Sequence, residues 1–412
     1  ASLPPVPLTE LTVVVPVKDR RLPLDRLLAS LPAGLAAVIV VDDGSADPAG
    51  IAQVVHAHGA ALVPLPASRG VGGARNAGLA LVQTPFVAFV DSDVVVEPGC
   101  FETLVRHFAD PRLAVVAPRV LGLDRERPGW ITRYENARSS LDLGADAAEV
   151  RPRSPLSWVS GTCLIARVEL LGTAFDASMD AGEDVDLVWR LVDEGHRVRF
   201  DPSAAVRHEH RTTVRAWMRR KFFYGTGADP LAVRHPVDIA PVVLPPWGAL
   251  VLVALLAQRR WSLPLSAAVA AVVTARIARR LPHVEHPGRI AARLTANGVA
   301  AVVGQGSALL VRHWWPLTVI GGLFSRRIRR AALIAGVADA AWEYARLRPQ
   351  LDPVRFALAR RLDDLAYGAG VWWSAVRGRS PRALLPAVTV RARPRDDEER
   401  MPRGIRSSSS RI

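Results

Sequence analysis

The sequence predicts an α/β fold with a mainly parallel, twisted sheet, and three observations carry that prediction. Short β-rich apolar runs recur at Leu11 to Val17, Ala37 to Val41, Ala61 to Leu65 and Phe86 to Val90. Each gap between them holds a segment of helical length, over residues 24–31, 47–58 and 70–82. Two of the runs end abruptly in acidic turns, Asp42-Asp43-Gly44-Ser45 and Asp91-Ser92-Asp93. Strands alternating with helices at this spacing build βαβ units around a parallel sheet. Such sheets take their ligands beyond the carboxyl ends of the strands, so both acidic turns should face one crevice.

Taken in order, the first run is β-branched, and Pro16 suits its end because proline cannot donate within a ladder. The second run closes with turn chemistry, and a polar-led helix follows it. The helix over 70–82 has a glycine-rich start. Ala114 to Val120 reads as a fifth strand, whereas the stretch from Leu121 to Pro155 is polar and punctuated and yields no assignment. Order returns with WVSGTCLIAR from Trp158, strand-like, then AGEDVDLVWRLVDEG, a helix start, then a short strand at Val198 to Phe200. These elements make one domain over residues 11–227.

From about Ala228 the composition changes, and residues 228–390 read as a hydrophobic helical region. Ile239 to Gln258 carries no charge and is followed by Arg259-Arg260. Trp261 to Ala275, Leu294 to Val311 and Trp314 to Phe324 are further apolar stretches, the last followed by the basic run Arg326 to Arg330. A spanning helix needs roughly 20 mainly apolar residues, so only the first stretch just qualifies on length, and its prolines shorten it. Short or re-entrant membrane helices, interfacial amphipathic helices and a soluble bundle all fit the pattern. Arginine flanks and edge tryptophans favour a membrane, on its cytoplasmic side. Residues 391–412, with DDEER and a serine run, have the composition of a disordered tail.

The chain carries 53 Lys and Arg against 39 Asp and Glu, a formal charge of +14. That excess favours an anionic partner such as a phosphorylated substrate or lipid headgroups. The arginines are spread without interleaved aromatics, so nucleic acid is not expected. Cys100 and Cys163 lack metal-ligand spacing and predict core thiols in a reducing compartment. The opening ASLPPVPLTE is not a charged-then-apolar leader, so no secretion signal is expected.

Several motifs carry chemistry. Asp91-Ser92-Asp93 suits a divalent cation held by carboxylates and substrate phosphates; alone it equally suits an acidic turn capping a helix. Ser68 to Gly78, SRGVGGARNAG, offers backbone amides to a phosphate at a helix N-terminus. With Asp91 about twenty residues on, it approaches a dinucleotide-binding layout, though the register is not G-x-G-x-x-G. Gly182-Glu183-Asp184-Val185-Asp186 places acids at a helix start, where one could serve as general base or all could simply complement the dipole. His208-Glu209-His210 could join the D-x-D acids on a metal or be hydrogen-bonded locally. Arg219, Arg220 and Lys221, beside aromatic residues, could clamp a diphosphate or lie at a membrane surface.

Read together, VVVPVKDR, VVDDGS, RGVGGARNAG, FVDSDV, SGTCLIAR, GEDVDL and H-x-H followed by W-x-x-R resemble the family 2 glycosyltransferases. The resemblance covers residues 11–227. It implies a GT-A fold and an inverting transfer from a nucleotide sugar with Mg²⁺ or Mn²⁺. It further implies that Pro16 and Asp43 lie against the base and that Arg75 helps hold the nucleotide. Asp91 and Asp93 would meet ribose and metal, Asp184 would be the catalytic base, His208 a further metal ligand and Arg220 the diphosphate cation. The Q-x-x-R-W signature of processive synthases is absent in that form, and W-M-R-R stands near its place. More narrowly, VDDGSADP, MDAGEDVDLVWRL, DPSAAVRHEHR and ADPLAVRHP resemble the mycofactocin-system glycosyltransferases. That likeness implies UDP-glucose as donor and a β-linked glucose on a peptide-derived redox cofactor. A cell-envelope glycan or polyprenol-linked acceptor is the alternative within the family. Outside it stand a nicotinamide or flavin oxidoreductase built on Gly70 to Asp91, and a non-catalytic membrane-associated binding protein.

Overall fold

The computed structural model describes residues 6–236 and 238–388. The tail expected over 391–412 lies outside them. The first half follows the alternation of the sequence: β1 (Leu11–Val17), α1 (Arg21–Ser30), β2 (Ala37–Asp42), α2 (Pro48–Ala57), β3 (Ala61–Pro64), α3 (Gly70–Leu79) and β4 (Phe86–Val90). α2 starts where Asp47 accepts from the Gly50 N–H and Pro48 supplies a ready-made helical φ. Behind Asp91-Ser92-Asp93 comes a strand, β5 (Val94–Val96), not a helix, so the acidic turn caps nothing. α4 (Cys100–Val105), β6 (Leu113–Gly122), α5 (Trp130–Arg138), β7 (Ala148–Glu149), β8 (Cys163–Arg167), α6 (Glu183–Asp193) and β9 (Arg197–His208) complete the sheet and its covers. The strand expected at Val198 to Phe200 thus runs much further, through Pro202, to His208.

The strand order is β3-β2-β1-β4-β8-β6-β9-β5, with β7 beside β9. β1 pairs in parallel with β2 and β4, β2 with β3, and β6 with β9; β8 runs antiparallel between β4 and β6, and β5 and β7 run antiparallel to β9. Alternation along β1 sends Val13 and Val15 to one apolar cluster, with Leu24, Leu27, Ile51 and Phe101, and Val14 to the other, with Ala74, Phe89, Leu187 and Phe200. Both faces are covered, which is why β1 and β4 are uninterrupted buried runs. Cys100 and Cys163 are buried free thiols in the first cluster, as expected.

Beyond β9 lie α7 (Val214–Thr226), α8 (Ala228–Arg234), β10 (Val243–Leu244), α9 (Pro246–Ala257), α10 (Ser262–Ala278), α11 (Pro287–Ala308), α12 (Trp315–Phe324), α13 (Arg326–Leu347), α14 (Pro353–Arg377) and β11 (Ala387–Val388). The packing does not divide at Gly227. One compact unit takes in residues up to 242 and again 303–386, so α12, α13 and α14 belong with the sheet. The reason is the face that α14 turns inward: Gly370 and Gly225 of α7 bring two backbones together, since a Cβ on Gly370 would lie 2.0 Å from the Phe222 carbonyl oxygen. Only glycine permits that approach. The second unit is residues 243–302 with, among the described residues, 387–388. In it α9 lies against α10, the Thr274 hydroxyl meets that of Thr295 at 2.9 Å, and Trp247 of α9 covers Gly298. The uncharged run Ile239 to Gln258 yields β10 and the 12-residue α9, a helix too short at about 18 Å to cross a bilayer. Among the described residues one helix, Pro287–His313, is long and apolar enough to cross a membrane.

Candidate active site

The acidic turns, the Ser160-Gly161-Thr162 loop and the start of α6 meet at the carboxyl-terminal edge of β1, β2 and β4. Arg75, on α3, is the internal cation that joins them. It is 2% exposed, and its guanidinium donates to Glu183 Oε1 at 2.9 Å, to Asp91 Oδ1 at 2.8 Å and to the Gly161 carbonyl at 2.8 Å. The Phe175 ring lies 5.0 Å away across its face. Burial disfavours the charge, but Asp91, Glu183 and Asp184 more than offset it and hold the guanidinium above its ordinary range. The Arg75 guanidinium is thus engaged by two carboxylates and a backbone carbonyl. Gly161 lies against it so tightly that a Cβ would come 2.8 Å from a guanidinium nitrogen.

The same Gly161 fixes Asp184, donating its N–H to Asp184 Oδ2 at 2.7 Å, while Oδ1 accepts from the Val185 N–H at 2.8 Å. The structure sorts the three acids of the α6 start by their surroundings. Glu183 is buried on Arg75, and burial, then the neighbouring Asp184 charge, push it up to about 7 against the pull of Arg75. Asp186 is fully buried among Arg190, Arg234 and His235 and is structural. Asp184 is half-buried and has no cation in direct contact among its described partners. Burial raises its carboxyl, and the Gly161 amide and Arg75 pull it back only in part. A carboxylate held by two amides with a raised pKa suits proton abstraction.

Asp93 lies at the other end of the turn, 9% exposed, with His208 Nε2 at 3.6 Å, Arg20 at 3.3 Å and Arg211 at 3.5 Å. Burial works against its charge, but His208, Arg20, Arg211 and Arg220 outweigh it and keep the carboxyl below the usual range. His208 ends β9, and burial, outweighing Asp93 and Asp91, lowers its pKa. Its Nδ1 is buried without a hydrogen-bond partner. An imidazole facing a carboxylate is a donor set that fits a divalent cation. His210 is also buried, its pKa pushed down to about 3, with its ring 5.8 Å from that of His208.

Arg220, on α7, lies over Tyr224 at 5.4 Å and Phe223 at 5.6 Å, and lines a cavity with His208, His210, Arg211 and Lys221. Asp43, after β2, accepts from the Ser68 hydroxyl at 2.7 Å and the Arg69 N–H at 2.6 Å, so the glycine-rich start of α3 is tied to the DDGS turn. Pro16 is buried near the end of β1 opposite Val41. Six of the eight expected residues thus fall in two groups, Arg75-Asp91-Asp184 and Asp93-His208-Arg220, while Pro16 and Asp43 sit at the ends of β1 and β2. Sequence reasoning missed Arg20, Arg211, Gly161 and the role of Glu183. The first two close the motifs VVVPVKDR and HEHR, and a lone arginine after a strand gave no signal of its own.

Over residues 12–172 the chain matches the model for glycosyl transferase family 2. It is 42% identical over 391 residues to a pre-mycofactocin glycosyltransferase of Mycobacterium tuberculosis, covering 92% of this chain and 82% of that protein. The chain belongs to the family 2 glycosyltransferases. A succinoglycan biosynthesis protein of Rhizobium meliloti is 32% identical over 175 residues, 40% of this chain and half of that one. Among solved structures, a glucosyl-3-phosphoglycerate synthase of M. tuberculosis, in complex with Mn²⁺ and UDP, is similar at 20% identity and a TM-score of 0.40, over 54% of this chain and 79% of that one. Family 2 membership replaces the oxidoreductase reading of Gly70 to Asp91.

Proposed function

We propose that this glycosyltransferase moves glucose from UDP-glucose, with inversion to a β linkage, onto a hydroxyl of the peptide-derived redox cofactor mycofactocin or its precursor. The 42% identity to a pre-mycofactocin glycosyltransferase supports the acceptor class. The arrangement that carries the chemistry is Asp184, held by two backbone amides, together with the cationic cluster Arg20-Arg211-Arg220 around Asp93. In the transfer an acceptor oxygen forms a bond to the anomeric carbon, the bond from that carbon to the diphosphate breaks, and the acceptor proton passes to Asp184. UDP leaves with the electron pair of the broken bond. Arg211 and Arg220 offer the positive charge that the departing diphosphate needs, in a partly enclosed site where such charge is most effective. Arg75 keeps Asp91 and Glu183 in place and lowers the cost of three carboxylates in one pocket. Asp93 and His208 would hold Mg²⁺ or Mn²⁺, with Asp91 toward the ribose; when bound, the ion supplies Lewis-acid stabilisation of the leaving diphosphate. Pro16 and Asp43 form the floor for the base.

We place the enzyme at the cytoplasmic face of the cell membrane. The apolar helix Pro287–His313, 28% buried over its most apolar stretch, and the charge of +14 support that placement. The test of function is full-length protein incubated with UDP-glucose, Mn²⁺ and the precursor peptide of the cofactor. Mass spectrometry should show hexose added to the peptide and UDP released in equal amount. Hexose transfer from another nucleotide sugar in preference would overturn the donor, and UDP release without modified peptide the acceptor.

A further inference from the structure

α12 and α13 form a helical hairpin whose tip is built as no soluble surface would be. α12 exposes Leu317, Val319, Ile320, Leu323 and Phe324, the last two 71% and 86% exposed. Ser325 turns the chain and caps α13 by accepting from the Ile328 N–H. Arg329 reaches back to the Gly322 carbonyl at 2.7 Å, which fixes the turn. The first turn of α13 then presents Arg326, Arg327, Arg329 and Arg330, all exposed, and no acid. Basic side chains at a helix N-terminus oppose the dipole, so this placement costs local stability and concentrates positive charge at an exposed turn. One and two turns on, Leu333, Ile334 and Val337 are exposed as an apolar stripe.

An exposed apolar tip ringed by arginines matches the chemistry of an anionic bilayer surface, where acyl chains lie just below phosphates. At about 15 Å, α12 is half the thickness of the hydrocarbon core, so it can dip into one leaflet and not cross. A nucleic acid would satisfy the arginines and leave Phe324 in water. We propose that the α12–α13 tip docks into an anionic leaflet, with Leu323 and Phe324 in the acyl boundary and the four arginines at the phosphates. This deepens the membrane placement made above and names the element that makes the contact.

Flotation of full-length protein with phosphatidylcholine vesicles, with and without phosphatidylglycerol, tests it. Wild type should float with the anionic vesicles and be released by salt. L323E/F324E should lose about tenfold or more in partitioning, as loss of inserted apolar area demands. Replacing the four arginines by Gln should remove the preference for phosphatidylglycerol and the salt dependence. Turnover with soluble substrates should be unchanged in both variants, which shows that they fold. Wild type that fails to float would overturn the membrane placement and this proposal together. L323E/F324E floating like wild type would overturn this proposal alone, leaving another element as the anchor. So would a shift of L323E/F324E from dimer to monomer in sedimentation with flotation intact, since a second copy would then cover the tip.

Discussion

At the scale of single residues, the chemistry turns on how the fold distinguishes carboxylates that look alike in sequence. Asp184→Asn keeps the shape of the side chain and one of its two backbone hydrogen bonds, since its amide nitrogen cannot accept from an N–H, and it cannot take a proton. It should lower kcat by about 10²–10⁴-fold with the donor KM little changed. Steady-state kinetics on the purified variant check this. Because the Asp184 carboxyl is raised by burial, the base is lost as pH falls through a value above the ordinary aspartate range near ~4. The acid limb of kcat/KM should therefore fall above that range, and it should vanish from the residual activity of Asp184→Asn. Gly161→Ala should lower both Tm and kcat: its Cβ would lie 2.8 Å from Arg75, an overpacking cost of about 1–3 kcal/mol. The ordered motifs pointed to Asp91, Asp93, Asp184 and His208 at their positions. What they could not reveal was which protein groups engage Arg75, because that depends on what α6 and the Gly161 loop bring to it.

At the scale of elements, α14 is the part least legible in sequence. Its inward face carries Phe356, Ala359, Asp363 and Gly370, a mixture with too little hydrophobicity to announce a core helix. The structure explains the mixture by a buried ionic network. Lys221 of α7 lies 2.9 Å from Glu135 of α5 and 3.6 Å from Asp363, Tyr134 donates to Asp363 at 3.1 Å, and Arg312 meets Asp364 at 3.0 Å. Lys221 and Glu135 also line the cavity with His208 and Arg220, so α14 braces one wall of the site. α5 itself fell in the stretch the sequence left unassigned, since its buried residues include Thr132 and Glu135 beside Ile131 and Tyr134. Asp363→Ala should destabilise the protein by about 3–5 kcal/mol in urea unfolding, because it strands buried cations. Burial opposes the Asp363 charge, but Lys221, Arg312, Arg138 and Arg360 hold its pKa down to about 2 from 3.8. A carboxylate lowered on folding stabilises fully above its unfolded pKa and loses that contribution as pH falls through the folded one. The Tm advantage of wild type over Asp363→Asn should therefore narrow as pH drops from about 4 toward 2. The β-strands were legible by contrast, because β1 and β4 are buried on both faces and so read as unbroken apolar runs.

At the scale of the whole molecule, one sheet edge gathers groups from α3, the turn after β4, the loop before β8, α6, β9 and α7, spanning residues 75–220. None of these carries the reaction alone, which is why each motif was weak and their order informative. The region expected to form a separate hydrophobic part is divided, with α12 to α14 joined to the catalytic unit. Composition hid this because apolar helices facing solvent and apolar helices facing a core have the same residue content. The central claim is that Asp184 removes the acceptor proton while Asp93 and the arginines around it serve the departing diphosphate. The most direct test compares single-turnover UDP release and UDP-glucose affinity for wild type, Asp184→Asn and Asp93→Ala in the presence of Mn²⁺. The account predicts that Asp184→Asn binds donor like wild type and fails to turn over, whereas Asp93→Ala loses donor affinity as well as turnover. Near-normal single-turnover UDP release by Asp184→Asn would contradict it.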